Sequence, residues 1–256
     1  MSDPRSQLLH VLHEAASQDF ARMRQAEELL IQWENEPSFF ATLQDIFYDR
    51  SVDHDVRFLG GIYLKNGINR FWRKTAKNPI NPAEKANIRQ RLLNFFDEPS
   101  TKLTWQNALI AARIARLDYP REWPELLPTL MQVIETTDLT TNEGAGRLIH
   151  DRALTMLYEV LYELSGRILS TGRRQFAEIA PRTFQTVAGA YMTYSNRNFS
   201  HLSNLSAAQQ DGTVGELNIT SMCVKCMRIL MVSGIKDVHQ YEETKVTLVK
   251  KKHALS

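Results

Sequence analysis

A chain of 256 residues, with 43% hydrophobic and 23% charged side chains, has the composition of a soluble globular protein and room for one large domain or an extended array. No run approaches the ~18 unbroken apolar residues of a membrane helix, and MSDPRSQLLHVL has no apolar core behind a basic start, so neither a membrane span nor a secretory signal is expected. Two cysteines exclude a disulfide framework and predict a reducing compartment, cytosolic or nuclear.

The net charge of +2 hides an uneven distribution. Residues 1–54 carry 4 basic and 10 acidic side chains, net −6; residues 55–121 carry 13 and 5, net +8; residues 122–256 carry 14 of each. An acidic end beside a basic middle points to a charged partner, although solvated helix faces would produce the same pattern.

Apolar residues recur at three- and four-residue spacing almost throughout, and alternating strand patterns are nearly absent. The pattern predicts helices over 5–17, 19–33, 37–48, 53–73, 82–96, 102–118, 123–135, 146–170, 173–195 and 216–234. Asp19, Pro37, Asp53, Pro82, Pro99, Pro120 and Pro124 punctuate them. Within ARIARLDYPREWPELLPTL (112–130), Ala112 and Ala115, with Ala108 and Ala111 before them, permit close helix approach; Asp118, Tyr119 and Pro120 stop the helix. Pro124 is expected in the first turn of the next helix, and Trp123 is expected to cover the junction between hairpins. Two polar stretches, 136–146 and 195–216, read as mobile loops.

The predicted helices pair. Second helices begin near 19, 53, 102 and 146, spaced by 34, 49 and 44 residues, the range of HEAT and armadillo hairpins. The expected fold is therefore all-α, a HEAT-repeat (armadillo-like) right-handed superhelical solenoid of about five hairpins. No capping repeat closes the pattern, and 240–256 is read as a tail of doubtful structure, so a fragment or an altered end is expected.

Chemistry-bearing motifs are scarce. There is no G-x-x-x-x-G-K, G-x-G-x-x-G, H-E-x-x-H or G-x-S-x-G. Cys223-Val-Lys-Cys226 with His239 approaches a Cys2His2 zinc pattern, but the next histidine is His253 and both cysteines lie within an apolar-periodic helix; two buried thiols are the expectation. No catalytic residue, cofactor or metal is expected. Phe58, Tyr63, Phe71 and Trp72 in the basic middle fall on apolar faces, which argues against direct nucleic-acid binding by stacking.

Three segments resemble a family. QAEELLIQWENEPSFF (25–40), VRFLGGIYLKNGINRFW (56–72) and ARLDYPREWPELLPTL (115–130) are similar, in order and spacing, to the amino-terminal repeats of importin-β (karyopherin-β) nuclear transport receptors. LYEVLYELSGRILSTGRRQFAEIAPRTF (157–184) and SMCVKCMRILMVSGIKDVH (221–239) resemble the importin-eleven branch. The resemblance spans about 5–239 and stops after His239. It divides the chain into Ran-binding repeats over 5–100 and further repeats over 101–239.

The resemblance implies a non-enzymatic receptor. It would bind the GTP form of Ran on the concave second helices of its first repeats, carry protein cargo, pass phenylalanine-glycine-rich nucleoporins, insert in no membrane, and shuttle between nucleus and cytoplasm. The alternatives are a HEAT-type scaffold without Ran binding and an RNA-binding solenoid. Helical wheels group Arg24, Gln25, Glu28 and Gln32 opposite Met23, Ala26, Leu30 and Trp33. They group Lys65, Asn66, Asn69 and Arg73 opposite Val56, Gly60, Tyr63, Gly67 and Phe71, and leave Gln106 and Arg113 as the polar break of helix 102–118. These ten polar residues form the expected Ran ridge; Trp33, Trp72, Trp105 and Trp123 are assigned to packing.

Overall fold

A computed structural model describes residues 3–139, 143–201 and 207–235, and the side chains of all these except 198–201 and 207–212. The described residues form ten α-helices and no strand: α1 Pro4–Ala15, α2 Phe20–Trp33, α3 Phe39–Tyr48, α4 His54–Phe71, α5 Pro82–Leu92, α6 Thr101–Asp118, α7 Leu126–Thr136, α8 Glu143–Ser165, α9 Ser170–His201 and α10 Ala207–Ile229. A π-turn over Leu230–Gly234 continues α10. The chain divides into two compact units, residues 1–117 and 118–256.

The helix starts follow their capping residues. The Asp19 carboxylate accepts the amides of Ala21 at 2.9 Å and Arg22 at 3.3 Å, two of the orphan donors at the start of α2. Asp53 does the same for Asp55 at 2.9 Å, and Asn81 for Glu84 at 2.8 Å, with Pro82 opening α5. Pro82 suits that position because its absent N–H has no helical partner there.

In the first unit α1 pairs with α2 and α3 with α4, while α1 also packs on α3 and α3 on α5. The core holds Leu12, Leu30, Leu43, Ile46, Phe47, Leu64, Ile68, Trp72, Ile88 and Ile110. Helix α4 lies unusually near α3: a Cβ placed on Gly67 would fall 1.9 Å from Cε1 of Phe40, so only glycine fits. A buried polar line joins α3, α5 and α6. Gln44 donates to the Ile88 carbonyl at 3.2 Å, Tyr48 donates to Asn107 Oδ1 at 2.7 Å, and Asn107 donates to the Leu92 carbonyl at 3.2 Å. The start of α6 is tied to α4 by a buried ion pair: Arg57 donates to Glu98 at 2.5 Å and to the Phe47 carbonyl at 3.0 Å, and Glu98 accepts the Ser100 amide at 2.9 Å.

In the second unit α7 packs on α8 and α9, and α10 lies against both α8 and α9. Trp123 is fully buried, as expected, but Pro124 precedes α7, which begins at Leu126. Pro128 sits in the first turn instead, where a missing N–H is tolerated. Pro181 lies inside α9.

Of the loop expected over 136–146, residues 137–139 are irregular and the end is helical, while the described residues of the loop expected over 195–216 are helical. Helix α8 already begins at Glu143, α9 runs on to His201, and α10 starts at Ala207. Low apolar content is not a helix stop. Neither stretch contains proline, and Ala207, Ala208, Gln209 and Gln210 are competent helix formers. The expected tail over 240–256 lies outside the described residues.

Candidate partner-binding surface

Helix α2 buries only Ala26 and Leu30; Met23 and Trp33 are half-buried, and Arg24, Gln25, Glu28 and Gln32 are exposed. Arg24 and Glu28 pair across one helical turn at 3.4 Å, both well exposed. Such a pair contributes about 0.3–0.5 kcal/mol. On α4, Val56, Gly60 and Gly67 are buried, Tyr63 and Phe71 half-buried, Lys65 half-buried, and Asn66 and Asn69 exposed. Arg73 is exposed but stands in the turn beyond α4, after the C-cap Trp72.

Gln106 does not belong to this surface. It is 2% exposed and donates its amide to the Gly61 carbonyl of α4 at 3.0 Å. The sequence marked it as the polar break of an apolar helix. Glycine at 61 opens the space for a side chain to reach the α4 backbone, so the break points inward. Thr104 and Asn107 are likewise buried and hydrogen-bonded. Arg113, seven residues on and so on nearly the same arc of α6, is exposed.

Contacts between successive second helices hold these faces side by side. Arg70 pairs with Glu34, the buried C-cap residue of α2. Tyr63 turns to the same side: burial pushes its phenol up, and the Glu27 and Glu34 carboxylates push it further. Lys102 of α6 stands 3.8 Å from the centre of the Phe58 ring and 3.9 Å from the Asp55 carboxylate. Periodicity did not distinguish Arg70, Glu34 or Lys102 and placed Phe58 only on an apolar face; the approach of α2, α4 and α6 brings them together.

Of the four tryptophans, Trp72 and Trp123 are core residues and Trp33 is half-buried, but Trp105 is 51% exposed. It is therefore a surface residue and not, as the sequence suggested, a packing one. It projects from the same arc of α6 as Lys102 and Arg113.

No group of three or more His, Cys, Asp or Glu among the described residues is placed to hold a metal ion. Cys223 and Cys226 are both buried in α10. Burial pushes the Cys223 thiol up to about 12 and raises that of Cys226 as well. His239 lies outside the described residues. None of the described helices is long and apolar enough to cross a membrane.

Paired antiparallel helices, stacked hairpin on hairpin within each unit, define a helical-repeat protein of the HEAT kind. Residues 26–98, from α2 through α5, match the Importin-beta N-terminal domain. Across 93% of its length the chain is 33% identical to importin-11 of Mus musculus, and across 92% it is 31% identical to importin beta-like protein kap113 of Schizosaccharomyces pombe. It spans 23% and 24% of these relatives, about a quarter of their length. Among solved structures, Lph2, a bidirectional nuclear transport receptor of S. cerevisiae, superposes with a TM-score of 0.71 at 29% identity, over 83% of this chain and 20% of that one. The chain belongs to the importin-β (karyopherin-β) family of nuclear transport receptors and corresponds to its amino-terminal part.

Proposed function

We propose that the chain is the Ran-binding, amino-terminal portion of a karyopherin-β receptor that carries protein cargo through the nuclear pore. It binds Ran in its GTP form on the concave side, through Arg24, Gln25, Glu28 and Gln32 of α2, Lys65, Asn66 and Asn69 of α4, Arg73, and Arg113 of α6. The receptor meets phenylalanine-glycine-rich nucleoporins, shuttles between nucleus and cytoplasm, and works by binding without catalysing a reaction. One observation carries this reading. In the segment matching the Importin-beta N-terminal domain, 26–98, the second helices α2 and α4 leave polar faces in solvent while their opposite faces are buried. A GTPase presents its switch segments differently in its two nucleotide states, and a rigid row of helices can read that difference by touching a switch.

The test is a titration of the protein with Ran loaded with GTP or GDP, with preferential binding of the GTP form expected. A second arm uses Glu28→Arg with Lys65→Glu. Removing a single exposed charge costs about 1 kcal/mol or less, whereas reversing two of opposite sign inside one contact costs more. The Arg24–Glu28 pair is lost at the same time, a small effect on the fold that a melting curve checks first. Equal affinity for the two nucleotide states would refute the Ran reading. Unchanged affinity in the folded double variant would mean that another face binds.

A further inference from the structure

Trp105 is held in solvent by the way α6 is locked. Its neighbours on both sides, Leu103, Thr104, Gln106 and Asn107, are all buried. Gln106 donates to the Gly61 carbonyl and Asn107 to the Leu92 carbonyl, at 3.0 and 3.2 Å. At ~100° per residue, turning α6 enough to bury the indole would break both bonds. The helix core is complete without it: Leu103, Ala108, Ile110, Ala111, Ile114 and Ala115 have no exposed surface.

The charged residues that α6 itself contributes to the surrounding stripe are all basic, with Lys102 also 3.9 Å from the Asp55 carboxylate of α4. Lys102 precedes Trp105 by one turn, and exposed Arg113 and Arg116 follow it on the same side of the helix, with half-buried Leu109 between. From Thr101 to Leu117 α6 carries no acidic residue. A large aromatic amid cations suits an apolar pocket rimmed by carboxylates. Tryptophan is also the residue type most often found to dominate an interface when it fills a partner's pocket, because it buries a large area at little entropic cost.

We propose that Trp105 is the apolar anchor of the GTPase contact, entering an acid-rimmed pocket of the GTP-loaded partner, with Arg113 and Arg116 orienting that rim. The inference rests on the Ran reading above and deepens it: the stripe continues the face that carries Arg113. It also separates roles, since a rim arginine mainly steers encounter while a buried anchor controls dissociation.

The test is a Ran–GTP titration of the wild-type chain, Trp105→Ala, Trp105→Lys and Arg113→Ala. Loss of the indole is expected to weaken binding about 30-fold or more, mainly through faster dissociation. Arg113→Ala is expected to change affinity by about fivefold or less. Because Trp105 is half exposed, the melting curve should hardly move; Trp105→Lys places a residue at home in solvent there and guards against a folding defect in the alanine variant. In the wild-type chain, the fluorescence contributed by Trp105, obtained by difference from Trp105→Phe, should shift to the blue on adding Ran–GTP. Wild-type binding with equal affinity in folded Trp105→Lys would overturn the anchor while the receptor reading stands. No binding of Ran–GTP by the wild-type chain would overturn both.

Discussion

Gln106 of α6 donates its side-chain amide to the carbonyl oxygen of Gly61 in α4 at 3.0 Å, inside the first unit. A Cβ on Gly61 would lie 3.0 Å from the Gln106 side chain, so the glycine and the glutamine are matched. Replacing Gln106 with leucine removes the buried bond and is expected to cost about 1–3 kcal/mol in urea unfolding. Ran–GTP affinity of the folded variant should stay unchanged. A folded Gln106→Leu protein with weakened Ran binding would return Gln106 to the surface.

Gly67 and Gly60, both on α4, should respond oppositely to alanine. At Gly67 the new Cβ meets the buried Phe40 ring at 1.9 Å, and overpacking costs about 1–3 kcal/mol, more than the gain in helix propensity. At Gly60 the nearest atoms are at 3.7 Å, an ordinary contact, so the gain of roughly 0.8–1 kcal/mol prevails. Thermal melting should show Gly67→Ala falling and Gly60→Ala rising. The same sign for both would contradict the close approach of α3 and α4.

His150 makes the second unit sensitive to acid. Burial holds its imidazole below the ordinary value of 6.5, and the Arg197 guanidinium adds to this, while the Ile134 backbone opposes them in part. Its Nδ1 meets the Tyr194 hydroxyl at 3.0 Å. With the folded value lowered, the unfolded chain takes up the proton first. The stabilisation is therefore complete above pH 6.5 and is lost as pH falls below it through the folded value. The melting temperature should drop between about pH 7.5 and about pH 5.5 by more in the wild-type chain than in His150→Gln. An identical drop in both would assign the acid sensitivity elsewhere.

The α10 thiols should be inert in the folded chain. With Cys223 pushed up to about 12, almost no thiolate exists at neutral pH, and burial blocks access to both sulfurs. A chromogenic disulfide reagent should react slowly in buffer and rapidly in urea. Cys223→Ser with Cys226→Ser should lower stability through two buried hydroxyls yet leave Ran binding intact. Stoichiometric zinc in the purified protein would contradict this assignment.

The hairpin series and most of the core were legible along the chain because each follows from local rules. Three- and four-residue apolar spacing specifies which arc of a helix is buried, as Ala26 and Leu30 on α2 and Leu64 and Ile68 on α4 illustrate. Asp19, Asp53 and Pro82 mark starts because the helix end has orphan donors wherever the helix happens to lie. The family motifs likewise pointed to the receptor class before any packing was known.

The loop expected over 195–216 shows where that reading fails. A polar stretch without a breaker can stay helical, so polarity alone does not place a boundary between α9 and α10.

What the sequence determined by itself is the set of helices, their inward arcs and the kind of protein they build, since these depend on neighbours three or four residues away. What only the tertiary structure decided is the fate of side chains whose partner lies on another helix. Gln106 and Trp105 are adjacent in sequence and were assigned to surface and core respectively; they exchange roles once α4 presents a bare glycine backbone to α6. Arg57 and Glu98, 41 positions apart, are buried only because each neutralises the other. A wheel drawn for one helix cannot contain such information, because whether a polar group enters the core depends on whether a distant group completes its hydrogen bonds.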